Sequence, residues 1–62
     1  MLNKLLTTKE VLVLLGDVPR STFYRWRQLG LGPRSIKLPN GEIRYRPADV
    51  DKWLREHEEA AA

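Results

Sequence analysis

Sixty-two residues, 7.2 kDa, 42% hydrophobic and 31% charged, with no cysteine and a formal net charge of +3, describe one small domain over residues 1–62 with a core at about 5–57 and a tail at 58–62. A chain of this size buries only about 60% of its unfolded surface, so nearly every large apolar side chain is expected in the core, with none left to line a ligand cavity of roughly 300 Å³. Without cysteine there is no disulfide framework and no thiolate metal cage, which suits a reducing cytoplasm; the longest apolar run, Val11 to Leu15, is far short of a spanning helix, and Met1-Leu2-Asn3-Lys4 does not open a signal peptide.

The charge is segregated along the chain. Residues 19–46 carry Arg20, Arg25, Arg27, Arg34, Lys37, Arg44 and Arg46 against Glu42 alone, net +6, and the remainder is net −3. The six arginines to one lysine in this block favour bidentate contacts to phosphate or guanine, although a solvated basic surface has the same composition.

Thr7-Thr8-Lys9-Glu10 is a capping box with Leu6 placed to staple against Val11, and it predicts a helix from about Thr8 to Leu15, ended by Gly16 as a left-handed residue. Asp17-Val18 makes a short turn before Pro19, which suits the first position of a second helix running to about Leu29 and stopped by Gly30 and Gly32-Pro33. Two helices joined so tightly form a helix-turn-helix unit. At roughly 100° per residue, Phe23 and Trp26 share the inward face of the second helix. Ser21, Tyr24, Arg25 and Gln28 share the outward face, with Arg20 and Thr22 on its flanks. Arg27 lies nearer the buried face, where a salt bridge to a neighbouring acid and a contact to DNA are equally open readings.

Ser35 to Arg46 alternates apolar and polar residues about Asn40-Gly41, a hairpin signal. Folding there pairs Leu38 with Ile43 and Ile36 with Tyr45 on one face, and sets Lys37 opposite Arg44 on the other. A marginal two-stranded hairpin must pack one face on the helices, and two opposed cations are tolerated where an anion sits between them, or where the face is simply solvated. The last helix opens with Pro47, carries Asp49 and Asp51 near its positive end, and places Val50, Trp53, Leu54 and His57 on a core-facing stripe. Glu56, Glu58 and Glu59 stand at its unfavourable negative end, which is expected to fray or to serve as an acidic handle. No apolar stripe is then left for a stable dimer, so the isolated chain is expected to be a monomer.

Chemistry is sparse. His57 is the only histidine, Ser21 and Thr22 have no base in prospect, and glycines 30, 32 and 41 are punctuation rather than a phosphate loop. No enzyme activity, no metal and no cofactor are expected. The residues instead assemble a DNA reader. Arg20, Ser21, Thr22, Tyr24, Arg25 and Gln28 would enter the major groove, with Arg25 and Gln28 as base readers. Lys37 and Arg44 would grip phosphates or the minor groove, and Thr8, Lys9 and the free amides beside them would hold a further phosphate. Arg27, Arg34 and Arg46 are secondary candidates. With five or six phosphates neutralised, log affinity should fall against log salt with a slope of roughly −5.

Leu6-Thr7-Thr8-Lys9-Glu10-Val11, Ser21-Thr22-Phe23-Tyr24-Arg25-Trp26, Leu29-Gly30-Leu31-Gly32-Pro33 and Ile43-Arg44-Tyr45-Arg46-Pro47-Ala48-Asp49-Val50 with Trp53-Leu54 together resemble the MerR-like winged helix-turn-helix domains of phage and integrative-element excisionases, or recombination directionality factors, and AlpA-like regulators. The likeness spans about residues 5–56. It implies an α+β fold: a helix-turn-helix, a two-stranded β-hairpin wing and a C-terminal helix. Pro19 stands where a serine often opens the second helix, and no long dimerisation helix follows residue 56. The resemblance therefore implies a stand-alone architectural factor of a bacterial cell or phage-infected host. Such a factor binds tandem sites on double-stranded DNA cooperatively, bends them and directs a site-specific integrase toward excision. A small transcriptional regulator would use the same contacts. A protein-interaction module with a basic face is a weaker alternative, and RNA binding weaker still, since Tyr24 alone offers an outward aromatic.

Overall fold

Thr7 caps the first helix from both directions. Its hydroxyl accepts from the Glu10 amide at 3.1 Å, and its own amide donates to the Glu10 carboxylate at 2.9 Å. This is the expected capping box, and in the computed structural model, which describes residues 4–58, it opens α1 (Thr8–Leu14). Gly16 follows the Leu15 cap at φ +92°, and Asp17 is also left-handed at φ +64°, a conformation that aspartate tolerates better than most residues. The amides of Asp17 and Val18 both donate to the Leu12 carbonyl, at 2.9 and 3.2 Å, so the turn satisfies a carbonyl that the helix end would orphan.

The second helix, α2 (Arg20–Gln28), is shorter at both ends than the sequence pattern predicts. Pro19 is the N-cap, not the first helical residue. Its ψ of 139° is extended, its carbonyl accepts from the Phe23 amide at 3.1 Å, and it has no side-chain acceptor to offer the exposed amides. Leu29 is the C-cap, and Gly30 takes the left-handed position at φ +72°.

The sheet has three strands rather than two. β1 (Leu6–Thr7) and β2 (Ile36–Lys37) both pair antiparallel with the central β3 (Ile43–Tyr45), in the order β1-β3-β2. β1 sets Leu6 opposite Tyr45 and Thr7 opposite Arg44, so the same threonine that caps α1 ties that helix to the wing.

The hairpin register is displaced by one residue from the expected one. Ile36 pairs with Arg44 and Lys37 with Ile43, so Lys37 and Arg44 are not opposed and no cation pair needs an anion between them. The loop is the cause. Leu38 accepts from Gly41 and donates to Glu42, both at 2.8 Å, which makes Pro39-Asn40-Gly41 a three-residue loop with Gly41 alone left-handed at φ +87°. A two-residue turn would need Asn40 left-handed as well. Pro39 presets the first position of an ordinary turn, and the Asn40 side chain locks the exit by accepting from the Glu42 amide at 2.9 Å.

Finally α3 (Pro47–Glu56) starts with Pro47 in its first turn and lays Val50 on the core. Val11, Leu12, Phe23, Tyr45 and Val50 form the buried hydrophobic core, and Pro33 is buried as well. Phe23 is their hub, meeting the Tyr45 ring edge-on at 5.7 Å and the Trp26 ring at 6.1 Å. Trp26 in turn meets Trp53 at 5.9 Å, and the Trp53 indole donates to the Leu31 carbonyl at 2.8 Å, fastening α3 to the loop behind α2.

Three core expectations fail. Leu54 and His57 are exposed, because Val50 and Trp53 make the contact with the core and no described residue buries the last turn of α3; the His57 ring instead meets Trp53 at 4.4 Å, with Nδ1 2.7 Å from the Trp53 carbonyl. Val13, Leu14, Leu29 and Leu31 are 55–60% exposed, so apolar surface does remain outside the core. With Val11 and Leu12 buried, a helix of seven residues must turn Val13 and Leu14 outward. Apolar side chains also line a concavity, an open groove of ≈ 440 Å³ walled by Leu6, Val13 and Leu14 with Lys9 and Glu10. Glu59 and the terminal alanines lie outside the described residues, as do Met1 to Asn3.

Candidate nucleic-acid interface

Burying Phe23 fixes the rotation of α2 and therefore which side chains it presents. Arg20, Ser21, Tyr24, Arg25 and Gln28 are exposed and Thr22 is half-buried, as the helical spacing predicts. No acidic residue lies on this helix, and Arg25 and Arg27 stand in its last turn, where the helix dipole favours cations.

The predicted contact set divides between surfaces. A groove of ≈ 380 Å³ brings Thr8 and Lys9 of α1, Arg20, Tyr24 and Arg27 of α2, and Arg44 of β3 into one hollow, with Thr7 and the Gly41–Ile43 segment completing the wall. Ser21, Arg25 and Gln28 lie outside it on the exposed face of α2, and Lys37 lies exposed on the outer strand of the wing. Arg34 lines a second hollow of ≈ 350 Å³ whose other wall includes Arg27. Arg46 is more than half exposed, with its guanidinium 3.7 Å from Asp49.

The cations are not equivalent. The Arg44 guanidinium is held by Glu42 at 2.7 Å and by the Ile43 carbonyl at 2.9 Å, so it meets a ligand already partly neutralised. Lys9, Arg20 and Arg27 have no acidic partner within ion-pair distance among the described residues. For Arg27 the expected salt bridge is absent among the described residues: its guanidinium lies 6.0 Å from the centre of the Tyr24 ring, the cation–π arrangement of residues three apart on a helix. Stacking leaves its N–H donors without a hydrogen-bond partner among the described residues, beside the groove that Arg27 lines.

At the start of α1 the capping box engages two of the backbone amides. The Thr7 amide is taken by the Glu10 carboxylate and the Glu10 amide by the Thr7 hydroxyl. The Thr7 amide, foremost, and its hydroxyl hold the Glu10 carboxyl below its ordinary range, so a negative charge stands beside this end of the helix. Thr8 and Lys9 line the groove at this end.

Tyr45 is the polar residue that sequence reasoning treats only as core. It is fully buried, yet its hydroxyl has no hydrogen-bond partner among the described residues. Burial raises the pKa of the phenol, opposed by the positive charge of Arg27. The apolar-polar alternation of the strand marks Tyr45 as inward, but nothing in the sequence marks its oxygen as unsatisfied.

Among the described residues no group of histidine, cysteine, aspartate or glutamate has the geometry to hold a metal, and no helix is long and apolar enough to cross a membrane. The sequence profile of a family described as a helix-turn-helix domain matches residues 5–58. Comparison with curated proteins returns no match.

Proposed function

Because the chain belongs to the helix-turn-helix domain family, which includes AlpA-like, excisionase-type small DNA-binding proteins, we propose that it is a sequence-specific reader of double-stranded DNA that acts as an excisionase. The observation that carries this reading is the acid-free outward face of α2, flanked by a groove in which Lys9, Arg20 and Arg27 stand without acidic partners. Arg25 and Gln28 read base edges in the major groove. Arg20, Ser21, Thr22 and Tyr24 position the helix on the backbone, and Lys37 and Arg44 hold the flanking strand from the wing. Catalysis is no part of the role, and the protein acts in the cytoplasm of a bacterial cell or phage-infected host.

A single module of this size covers about 600 to 1,000 Å² of interface, which gives modest affinity for one site. Neighbouring copies on tandem sites, and a site-specific integrase, supply the rest. The exposed Val13-Leu14 and Leu29-Leu31 pairs offer apolar surface for such contacts. A transcriptional regulator shares every DNA-contacting residue and differs in the arrangement of its sites.

The test is to select bound fragments from the source genome and footprint the protein on them at physiological salt. Tandem protected sites beside an integrase attachment site support excision. Solitary or inverted sites over promoters make the protein a regulator, and absence of any specific fragment overturns DNA reading in favour of a protein-interaction module.

A further inference from the structure

The groove that gathers the cations also holds an anion of its own. Glu42 is the only acidic residue between positions 19 and 46, and among the described residues that line the groove it is the only acid. One of its carboxylate oxygens accepts from the Arg44 guanidinium at 2.7 Å, while a second nitrogen of that guanidinium donates to the Ile43 carbonyl at 2.9 Å. The other carboxylate oxygen accepts from the Asn40 side-chain amide at 3.2 Å, and the Asn40 side-chain oxygen accepts from the Glu42 amide at 2.9 Å. Both oxygens are therefore engaged, and the loop that turns the hairpin also aims the carboxylate at Arg44.

The fold does not need that charge. The hairpin uses the Glu42 backbone, whose carbonyl accepts from the Leu38 amide at 2.8 Å and whose amide is held by Asn40, groups that other residues supply equally well. Glutamine would occupy the same space and offer an oxygen in place of the carboxylate. The Glu42 side chain is half exposed, and an ion pair so placed adds little to stability. What the charge changes is the groove. A carboxylate on a guanidinium occupies the donors that a phosphate oxygen would take, with the same sign of charge and the same type of bond. Lys9, Arg20 and Arg27, on the same groove, have no acid within ion-pair distance among the described residues, so Arg44 alone among these cations is held back in this way.

We propose that Glu42 is a built-in competitor for DNA: its carboxylate takes the place of a backbone phosphate on Arg44 and holds the wing's grip on any duplex below what its cations would give. A phosphate that reaches Arg44 must exchange for the carboxylate or share the guanidinium with it, and that cost falls on all sequences alike, because every duplex presents the same phosphodiester. This rests on the DNA-binding reading and deepens it, since it assigns the setting of affinity to an acid of the wing and leaves base reading by α2 untouched.

The test measures the affinity of the 62-residue chain, of Glu42→Gln, of Arg44→Ala and of the double variant for a selected site and for a random duplex of equal length, with urea unfolding of each protein. Glu42→Gln is expected to tighten both duplexes alike by about two- to fivefold, the worth of an exposed ion pair that no longer has to open, with its unfolding midpoint close to wild type. In the Arg44→Ala background the same substitution is expected to gain at most about half as much, because the arginine it frees is gone. Wild-type or weaker affinity in Glu42→Gln overturns the proposal. So does a gain that exceeds this limit without Arg44, which would assign the effect to net charge rather than to the pair. Should Arg44→Ala fail to fold, Arg44→Gln takes its place in the cycle with the same expected and overturning results. A wild-type chain that binds neither duplex overturns the DNA reading itself, a result distinct from equal binding by wild type and Glu42→Gln.

Discussion

Phe23 joins the helix that would read DNA to the strand that carries the wing, so its truncation tests whether packing sets the interface. The side chain is fully buried and contacts both Tyr45 and Trp26 edge-on. Phe23→Ala removes most of a buried aromatic ring, a change that costs about 3–5 kcal/mol where the cavity cannot collapse. A chain of 62 residues has about 3–9 kcal/mol of stability in total, so this variant should lose at least a third of it and melt well below wild type. Phe23→Leu keeps an apolar side chain but forfeits two aromatic contacts of about 0.5–1.5 kcal/mol each, for a loss of about 1–3 kcal/mol. Urea unfolding followed by the fluorescence of Trp26 and Trp53 measures it, with the slope of the transition expected to match wild type. A Phe23→Leu protein within about 0.5 kcal/mol of wild type would refute the view that these rings hold α2 on the sheet.

Three further outcomes follow from named contacts. Arg25→Ala should erase the preference for a selected site over a random duplex, whereas Lys37→Ala should weaken both duplexes equally and flatten the salt slope by about 1; competition binding at several salt concentrations separates the two, and intact preference in Arg25→Ala removes that residue from base reading. The Glu10 carboxyl has its pKa lowered from 4.5 by Thr7, so the cap's contribution is full above about pH 4.5 and is lost as pH falls through the lower folded value. In melting curves between pH 3 and 7, Glu10→Gln should be less acid-sensitive than wild type, since glutamine keeps the reciprocal bond without titrating; parallel curves would dismiss the cap as a source of acid sensitivity. Trp53→Phe keeps a ring near Trp26 but loses the 2.8 Å bond to the Leu31 carbonyl, and should cost about 1 kcal/mol or somewhat more in urea unfolding, with no loss indicating that this bond does not anchor α3.

Local chemistry was enough to announce every helix of the domain. The threonine and glutamate of the capping box, the glycine after Leu15, the proline that opens α3 and the spacing of Phe23 and Trp26 act within one or two turns of chain, so they are legible in order along the sequence. The outward face of α2 is legible for the same reason, since helical rotation follows from which two aromatics are buried. The hairpin was legible in place but not in register. Asn40-Gly41 marks a turn, and whether it spans two residues or three depends on Pro39 and on how Asn40 closes on Glu42. β1 could not be read at all, because two residues carry no period and become a strand only when β3 arrives beside them. The same holds for the site. That Arg44 pairs with Glu42 and Arg27 rests on Tyr24, two and three residues away, and that the Tyr45 hydroxyl is buried without a partner among the described residues, depend on side-chain orientation and burial that spacing along the chain does not set. A sequence specifies which groups can bond; only the packed chain decides which of them meet, because distance and burial are properties of the assembled core.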